Sequence, residues 1–182
     1  MAYNNPISKI ERAIRQYLIQ QGTTSVNDCF ISNDSRIADI LPNRKIQCSS
    51  FTPQRPMRPE GICHLQIQHH FAAAQQPGEP NPDAQRIGMD EYLGDTMDSM
   101  LCGDDQSLNV VADAITVAGR SLAVTDNTPQ GNVIAQNNAD MVNFRCDWIK
   151  QAHPFITRGN SVESTNWVEI LNFDAFVSTA AI

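Results

Sequence analysis

The chain has 182 residues and a formal net charge of −7, with 41% hydrophobic and 18% charged residues. This composition can bury a core and excludes a globally disordered chain. No run of about 18 apolar residues occurs, and the N-terminus lacks the basic and apolar regions of a secretory signal, so the sequence predicts neither a transmembrane helix nor export.

The first predicted element is an amphipathic helix over residues 6–21. Asn5 can cap this helix, Pro6 suits its first position, and Gly22 is a natural stop. The apolar face is predicted to carry Ile7, Ile10, Ile14, Tyr17 and Leu18, and the polar face Lys9, Glu11, Arg12, Arg15 and Gln16.

Residues 23–61 show the least regular pattern in the chain. Short apolar pieces alternate with polar residues, and prolines interrupt residues 52–60. A long stretch with so little regular pattern either hides elements that the pattern does not reveal or is an extended arm or insertion. An arm ordered only by neighbouring subunits is physically reasonable, because alone it lacks the apolar surface to offset its ordering entropy. The candidate interface residues of this arm are its basic side chains: Arg36, Arg44, Lys45, Arg55 and Arg58.

Residues 62–71 alternate in polarity and predict a strand. Two helical segments follow within residues 83–122, where apolar residues recur at spacings of three and four. In the strand at residues 62–71, alternate side chains are predicted to lie on opposite faces of the sheet. One face is predicted to hold Cys63, Leu65, Ile67, His69 and Phe71. The other face is predicted to hold His64, Gln66, Gln68 and His70.

The last third of the chain predicts a β-hairpin. Alternation indicates strands over residues 141–149 and 167–177, joined by a polar connection at 151–165, and a slip near Ile170 predicts a bulge. The three strands predict an antiparallel sheet with helices packed on one face. The sequence therefore predicts a single α+β domain over residues 1–182, with long loops extending to neighbouring subunits. In the strand at residues 167–177, one face is predicted to carry Trp167, Leu171 and Phe173. The opposite face is predicted to carry Glu169, Asn172 and Asp174.

Few residues carry recognisable chemistry. His64 and His70 share a strand face about 20 Å apart, too far to bind one metal, because six residues rise about 3.3 Å each. The sequence has no P-loop, Gly-rich dinucleotide motif, nucleophile elbow or zincin motif. Five widely spaced cysteines indicate reduced thiols rather than a disulfide framework. We therefore predict no enzymatic activity, no cofactor and no metal site.

The negative charge is concentrated in one part of the chain. Residues 1–58 contain eight Lys and Arg against four acids, whereas residues 59–182 contain five against sixteen. Such an acidic surface is either a solvated helix face or a face that DNA passes without binding, because it repels phosphate. The candidate lumen or interface residues are Asp90, Glu91, Asp95 and Asp98.

The order of elements resembles that of the tail terminator, or tail completion, proteins of long-tailed bacteriophages. The resemblance lies in the opening helix at residues 6–15, the strand at 64–71, the helical segment at 89–93 and the final strand at 167–177. It covers about three quarters of the chain and rests on element order rather than on an invariant motif.

The resemblance implies a structural virion protein without catalytic activity. Such a protein forms a ring, expected to be a hexamer, that ends polymerisation of the tail tube and joins the tail to the head. Its implied partners are other copies of itself, the tail tube protein and the head–tail connector protein, with DNA passing through the lumen and no membrane contact. The implied location is the tail or neck of the virion, and the host cytoplasm during assembly.

Three other functions fit the same sequence. The chain could be another neck or head–tail connector component with a similar core, a stand-alone binding or regulatory module, or an enzyme that uses the strand histidines. Self-association would distinguish a neck component from a binding module or an enzyme. Substitution of His64 or His70 tests the enzyme alternative.

Overall fold

The computed structural model describes residues 6–31, 42–56, 58–71, 82–100, 105–123, 140–160 and 167–179. They form an α+β fold in which three helices pack on one face of a five-stranded mixed sheet, as the sequence predicts for class and layering. The elements are α1 (Pro6–Gln20), β1 (Cys29–Ile31), β2 (Asn43–Pro53), β3 (Glu60–Phe71), α2 (Pro82–Met100), α3 (Asp105–Ser121), a 3₁₀ turn (Asp140–Asn143), β4 (Arg145–Asn160) and β5 (Trp167–Ser178).

The sheet has the strand order β1-β2-β3-β5-β4. Strands β1 and β2 are parallel, and all other neighbours are antiparallel. The predicted antiparallel pairing of the three strands β3, β5 and β4 is confirmed, and the sheet as a whole is mixed because β1 adds a parallel edge that the sequence pattern did not indicate. Because β3 and β5 occupy the interior, their alternate side chains form the floor of the core, and the helices α1, α2 and α3 cover it.

The interpretation of residues 23–61 as an arm was wrong for the parts described. Residues 29–31 and 43–53 are strands of the sheet, and β2 pairs with β3 along almost its whole length. Residues 32–41, which include Arg36, lie outside the described residues. The pattern of β2 is irregular because the strand contains a register shift between Cys48 and Ser50, so its alternation changes phase part-way.

The C-terminal hairpin is longer than predicted. Strand β4 runs to residue 160 and includes most of the segment predicted as a connection, because register shifts break its alternation at two places. Strand β5 pairs with β3 without interruption, so the bulge predicted near Ile170 was wrong. The alternation of polarity is broken there because Val168 and Ile170 are apolar but lie on the face of the sheet opposite the helices. Glu169 between them is charged but buried.

Helix α1 ends as the sequence predicts. Gly22 has a φ of +75°, and the N–H of Thr23 donates to the carbonyl of Leu18 while that of Gly22 donates to Ile19, which is the Schellman arrangement. The predicted polar face was wrong at two positions, because Lys9 and Glu11 are buried. A Glu11 carboxylate oxygen accepts the N–H of Cys48 at 2.8 Å, which ties the helix to β2.

Helix α3 covers the beginning of the edge strand β4. The Thr116 hydroxyl oxygen accepts the N–H of Cys146 at 2.9 Å and lies 3.1 Å from the Cys146 carbonyl oxygen. The Arg120 Nε donates to the carbonyl of Phe144 at 2.8 Å. These contacts satisfy backbone groups that an edge strand otherwise leaves exposed. Farther along the same strand, Pro154 lies within the second register shift.

Candidate functional site

The predicted acidic face is on helix α2 and points to solvent. Asp90, Glu91, Asp95 and Asp98 are all exposed, and the buried side of the same helix carries Leu93, Thr96 and Met100. At 100° per residue, Glu91, Asp95 and Asp98 lie within about 60° of one another, whereas Asp90 lies about 80° from the nearest of them. The structure therefore brings three of these carboxylates together on one surface, with Asp90 to one side of them.

Of the five basic residues assigned to the arm, the four that the structure describes do not form one surface. Arg55 and Arg58 are exposed at the β2–β3 turn, and Lys45 lies half-buried on the sheet face opposite the helices. Arg44 is only 1% exposed, so its assignment to an interface was wrong. No feature of the sequence indicated its burial, because a cation beside an apolar run is ordinarily solvated.

Arg44 is held inside the protein by helix α2. Its Nε donates to the Thr96 hydroxyl at 2.8 Å, one of its η nitrogens donates to the Tyr92 carbonyl at 2.9 Å, and its guanidinium lies 3.5 Å from the centre of the Tyr92 ring. These contacts replace part of the hydration that the guanidinium loses, and the planar group stacks on the aromatic face. Arg44 thus anchors α2 to the sheet.

The Arg44 contact continues into a buried chain of hydrogen bonds. His69 Nδ1 lies 3.2 Å from the Glu169 carbonyl, and its Nε2 lies 2.8 Å from the Thr96 hydroxyl. Because a carbonyl only accepts, Nδ1 carries the proton and Nε2 accepts from Thr96. Arg44 thus donates to the Thr96 hydroxyl, the hydroxyl donates to His69 Nε2, and His69 Nδ1 donates to the Glu169 carbonyl.

The same environment keeps His69 neutral. Burial, and then the positive charge of Arg44, lower the pKa of His69 to about 3. A protonated imidazole would also lose its acceptor for the Thr96 hydroxyl. This histidine is therefore a structural group of the interior rather than an acid or base available to a ligand.

We expect acid to destabilise the protein through His69. Between pH 6.5 and 3 the unfolded state binds a proton at this residue and the folded state does not, so stability falls as pH falls, by about 1.4 kcal/mol per pH unit. Urea unfolding at pH 7 and pH 5 measures this dependence. Between pH 7 and pH 5, the His69→Gln variant should lose about 2 kcal/mol less of its free energy of unfolding than wild type. The matched control is His153→Gln, which changes an exposed histidine. Equal slopes for wild type and His69→Gln would contradict the assignment.

Register aligns three buried residues and the exposed Arg158 into a row across the sheet. Arg44 pairs with His69, His69 with Glu169, and Glu169 with Arg158. The Glu169 carboxylate is buried and accepts from Arg158 Nε at 3.1 Å. Sequence reasoning placed Glu169 on the polar face, since an acid among apolar residues indicates the solvent side, and only cross-strand register reveals its partner.

The sheet face opposite the helices is polar at its centre, as predicted for β3. His64 Nδ1 lies 2.9 Å from an Asp174 carboxylate oxygen, with both side chains about one third exposed. Beside this pair runs a hydrogen-bonded ladder in which Gln68 donates to Gln47 at 3.0 Å and to Gln66 at 3.2 Å. The His64–Asp174 pair is the arrangement nearest to catalytic geometry in the described residues.

Four cysteines are described, and all are unpaired and buried. Burial raises the pKa of the Cys29 thiol to about 11 and that of Cys146 to about 12, so both stay protonated at neutral pH. Among the described residues, no group of three or more His, Cys, Asp and Glu side chains could hold a metal ion.

One end of the sheet face opposite the helices carries an apolar depression. It has a volume of about 490 Å³. The rings of Trp148 and Phe176 lie 6.2 Å apart within it, and Ile62 beside them is 43% exposed. We call this feature the aromatic groove; it is lined by Thr52, Pro53, Gln54, Ile62, Asp147, Trp148 and Phe176.

A second exposed apolar feature lies on helix α3. Val110 and Val117, seven residues apart, are 63% and 67% exposed. Asp113 and Arg120 share their face, and the opposite face of α3 carries the buried residues Val111, Ala112, Ile115 and Ala118. We call Val110, Asp113, Val117 and Arg120 the α3 ridge. Sequence reasoning missed it, because valine in a helical pattern is ordinarily assigned to the core.

No protein-family model matches the chain, and no curated protein matches it. Within the described residues, no helix is long and apolar enough to cross a membrane.

Proposed function

We propose that this chain is a structural ring protein of a bacteriophage tail. In this proposal it acts as a tail terminator, a hexameric ring at the head-proximal end of the tail tube that joins the tube to the head connector. The proposal rests on the resemblance of element order and on the character of the surface.

The observation that carries the proposal is the one-sided covering of the sheet. In the described part of the chain, all three helices pack on one face, and the other face presents a polar centre and the aromatic groove. A ring closes only when each subunit offers two different complementary surfaces. The uncovered sheet face and the outside of the helical layer supply such a pair.

The acidic face of α2 suits a passage for DNA. Its four carboxylates are exposed and point away from the core. Because they repel phosphate, a lumen lined by them would let a duplex move without adhering. The His64–Asp174 pair supports the enzyme alternative less well, because it lies on an open sheet surface rather than in the aromatic groove.

Native mass measurement of the purified chain, followed by electron microscopy of any oligomer, tests the proposal. We expect a closed ring, and we expect it to bind the end of a tail tube. A strictly monomeric protein in the presence of tube and connector proteins would overturn the proposal. A ring found on the portal side instead would assign the chain to another neck component. Loss of a measured activity on His64→Ala would indicate an enzyme.

Neutralising the acidic face should impair DNA passage. We expect the combined variant Asp90→Asn, Glu91→Gln, Asp95→Asn and Asp98→Asn to retain DNA and to lower the infectivity of particles that contain it at least tenfold. The fold should survive, since these residues are exposed and the removal of Asp98, which lies in the last turn of α2, is favourable to the helix dipole.

The matched control keeps the charge and changes the side chains. The variant Asp90→Glu, Glu91→Asp, Asp95→Glu and Asp98→Glu should behave as wild type in both DNA retention and infectivity. Unchanged assembly and infectivity of the neutral variant would show that the acids are an ordinary solvated face.

A further inference from the structure

We propose that two copies of this chain join head to tail, with the α3 ridge of one copy seated in the aromatic groove of the next. This inference rests on the proposed ring and names the surfaces that close it. The occupant of the groove is thus a second copy of the same chain.

The two features lie on opposite sides of the molecule. The groove opens on the sheet face away from the helices, whereas the ridge is on the outer side of α3, which packs its inner side against α1 and β4. A contact between them cannot be a two-fold symmetric one, because each copy contributes a different patch. Such a contact repeats from copy to copy and closes into a ring when the rotation allows.

The chemistry of the two features is complementary. The exposed Val110 and Val117 are apolar, as are the groove residues Trp148 and Phe176. Aromatic side chains in a concave apolar site are the usual anchors of protein interfaces. Burial of these residues by a second copy would also explain why so much apolar surface faces solvent on the isolated chain.

The charged residues of the ridge and those beside the groove are opposite in sign and similarly spaced. On the ridge, Asp113 and Arg120 are seven residues apart, about 10 Å along a helix. At the groove, Lys150 and Asp147 are three residues apart, about 10 Å along a strand. One orientation therefore places Asp113 on Lys150, and it places Arg120, whose Nε already donates to the Phe144 carbonyl of its own chain, near Asp147.

The charges at the groove are already engaged within the chain. The Lys150 Nζ lies 5.2 Å from the centre of the Trp148 ring, beside the groove. The Asp147 carboxylate accepts from Arg145 Nε at 2.6 Å, so the second contact would share this carboxylate. We therefore test the pair of Asp113 and Lys150.

Single substitutions test each surface. Val117→Asp on the ridge and Ile62→Glu in the groove should each raise the dissociation constant between copies at least tenfold, measured by native mass spectrometry and sedimentation. Both positions are exposed, so neither change disturbs the core. Val26→Asp is the matched control, because Val26 is 55% exposed and belongs to neither surface.

Mixing the two variants tests the head-to-tail geometry. Val117→Asp keeps an intact groove and Ile62→Glu keeps an intact ridge, so an equimolar mixture should form a heterodimer although each alone is monomeric. Asp113→Lys and Lys150→Glu should each weaken association, and the double variant in one chain should restore it.

The outcomes separate this inference from the proposed function. A wild-type chain that stays monomeric beside its tube and connector partners overturns both. A wild-type ring that persists in Val117→Asp and in Ile62→Glu overturns the inference alone, and the groove then belongs to another partner. A ring lost in both variants without heterodimer formation on mixing excludes the head-to-tail pairing of these two surfaces.

Discussion

Arg44→Lys should destabilise the protein by about 3–5 kcal/mol, more than Arg44→Met, although it retains the charge. The lysine ammonium cannot reproduce the planar contact with the Tyr92 ring or donate in two fixed directions to Thr96 and Tyr92. It would remain a buried cation with fewer partners. Urea unfolding of both variants at pH 7 measures the difference.

Arg44→Met is the informative control for that experiment. Methionine fills a similar volume and removes the charge, and the Tyr92 carbonyl lies within helix α2, where the backbone supplies a donor. We expect a cost below about 1.5 kcal/mol. If Arg44→Lys proved milder than Arg44→Met, the guanidinium would have to be in contact with water, and its role as an anchor of α2 would be wrong.

Gly61→Ala should cost about 3 kcal/mol or more. A Cβ atom at this position would lie 2.2 Å from the carbonyl oxygen of Thr52 and 2.9 Å from the Cα of Pro53. These are backbone atoms of the paired strand β2, so no side-chain rotation relieves the contact, and the hairpin itself must move. Thermal or urea unfolding measures the loss.

Gly94→Ala provides the matched control. Gly94 lies within helix α2, and nothing approaches within 4 Å of the Cβ that alanine would add. Alanine there should raise the free energy of unfolding by about 0.5–1 kcal/mol, because it restricts the unfolded chain and favours the helix. Equal effects of the two substitutions would mean that the close approach of Gly61 to β2 does not exist in solution.

The sequence predicted those elements whose patterns remain regular. The helix at residues 6–21, the strand at 62–71 and the division of its two faces were confirmed, because a one-sided burial repeats at a constant period. The α+β class followed from the alternation of such elements. Prediction failed at β2 and β4, where register shifts change the phase of alternation and therefore hide the strand.

The interior polar chain could not be predicted for a different reason. Arg44, Thr96 and Glu169 are far apart along the chain, and each taken alone resembles a solvent-facing residue. Their burial depends on cross-strand register and on where α2 crosses the sheet, which are long-range properties. The acidic face of α2 was predictable, since local spacing alone decides which side of a helix a residue occupies.

The contacts of Thr116 and Arg120 with the start of β4 bear on how copies of this chain can associate. At that end of the sheet the backbone is already occupied, and Pro154 removes a donor farther along the strand. Recruitment of an extra strand from a neighbour, the first step toward fibrils, is therefore obstructed there.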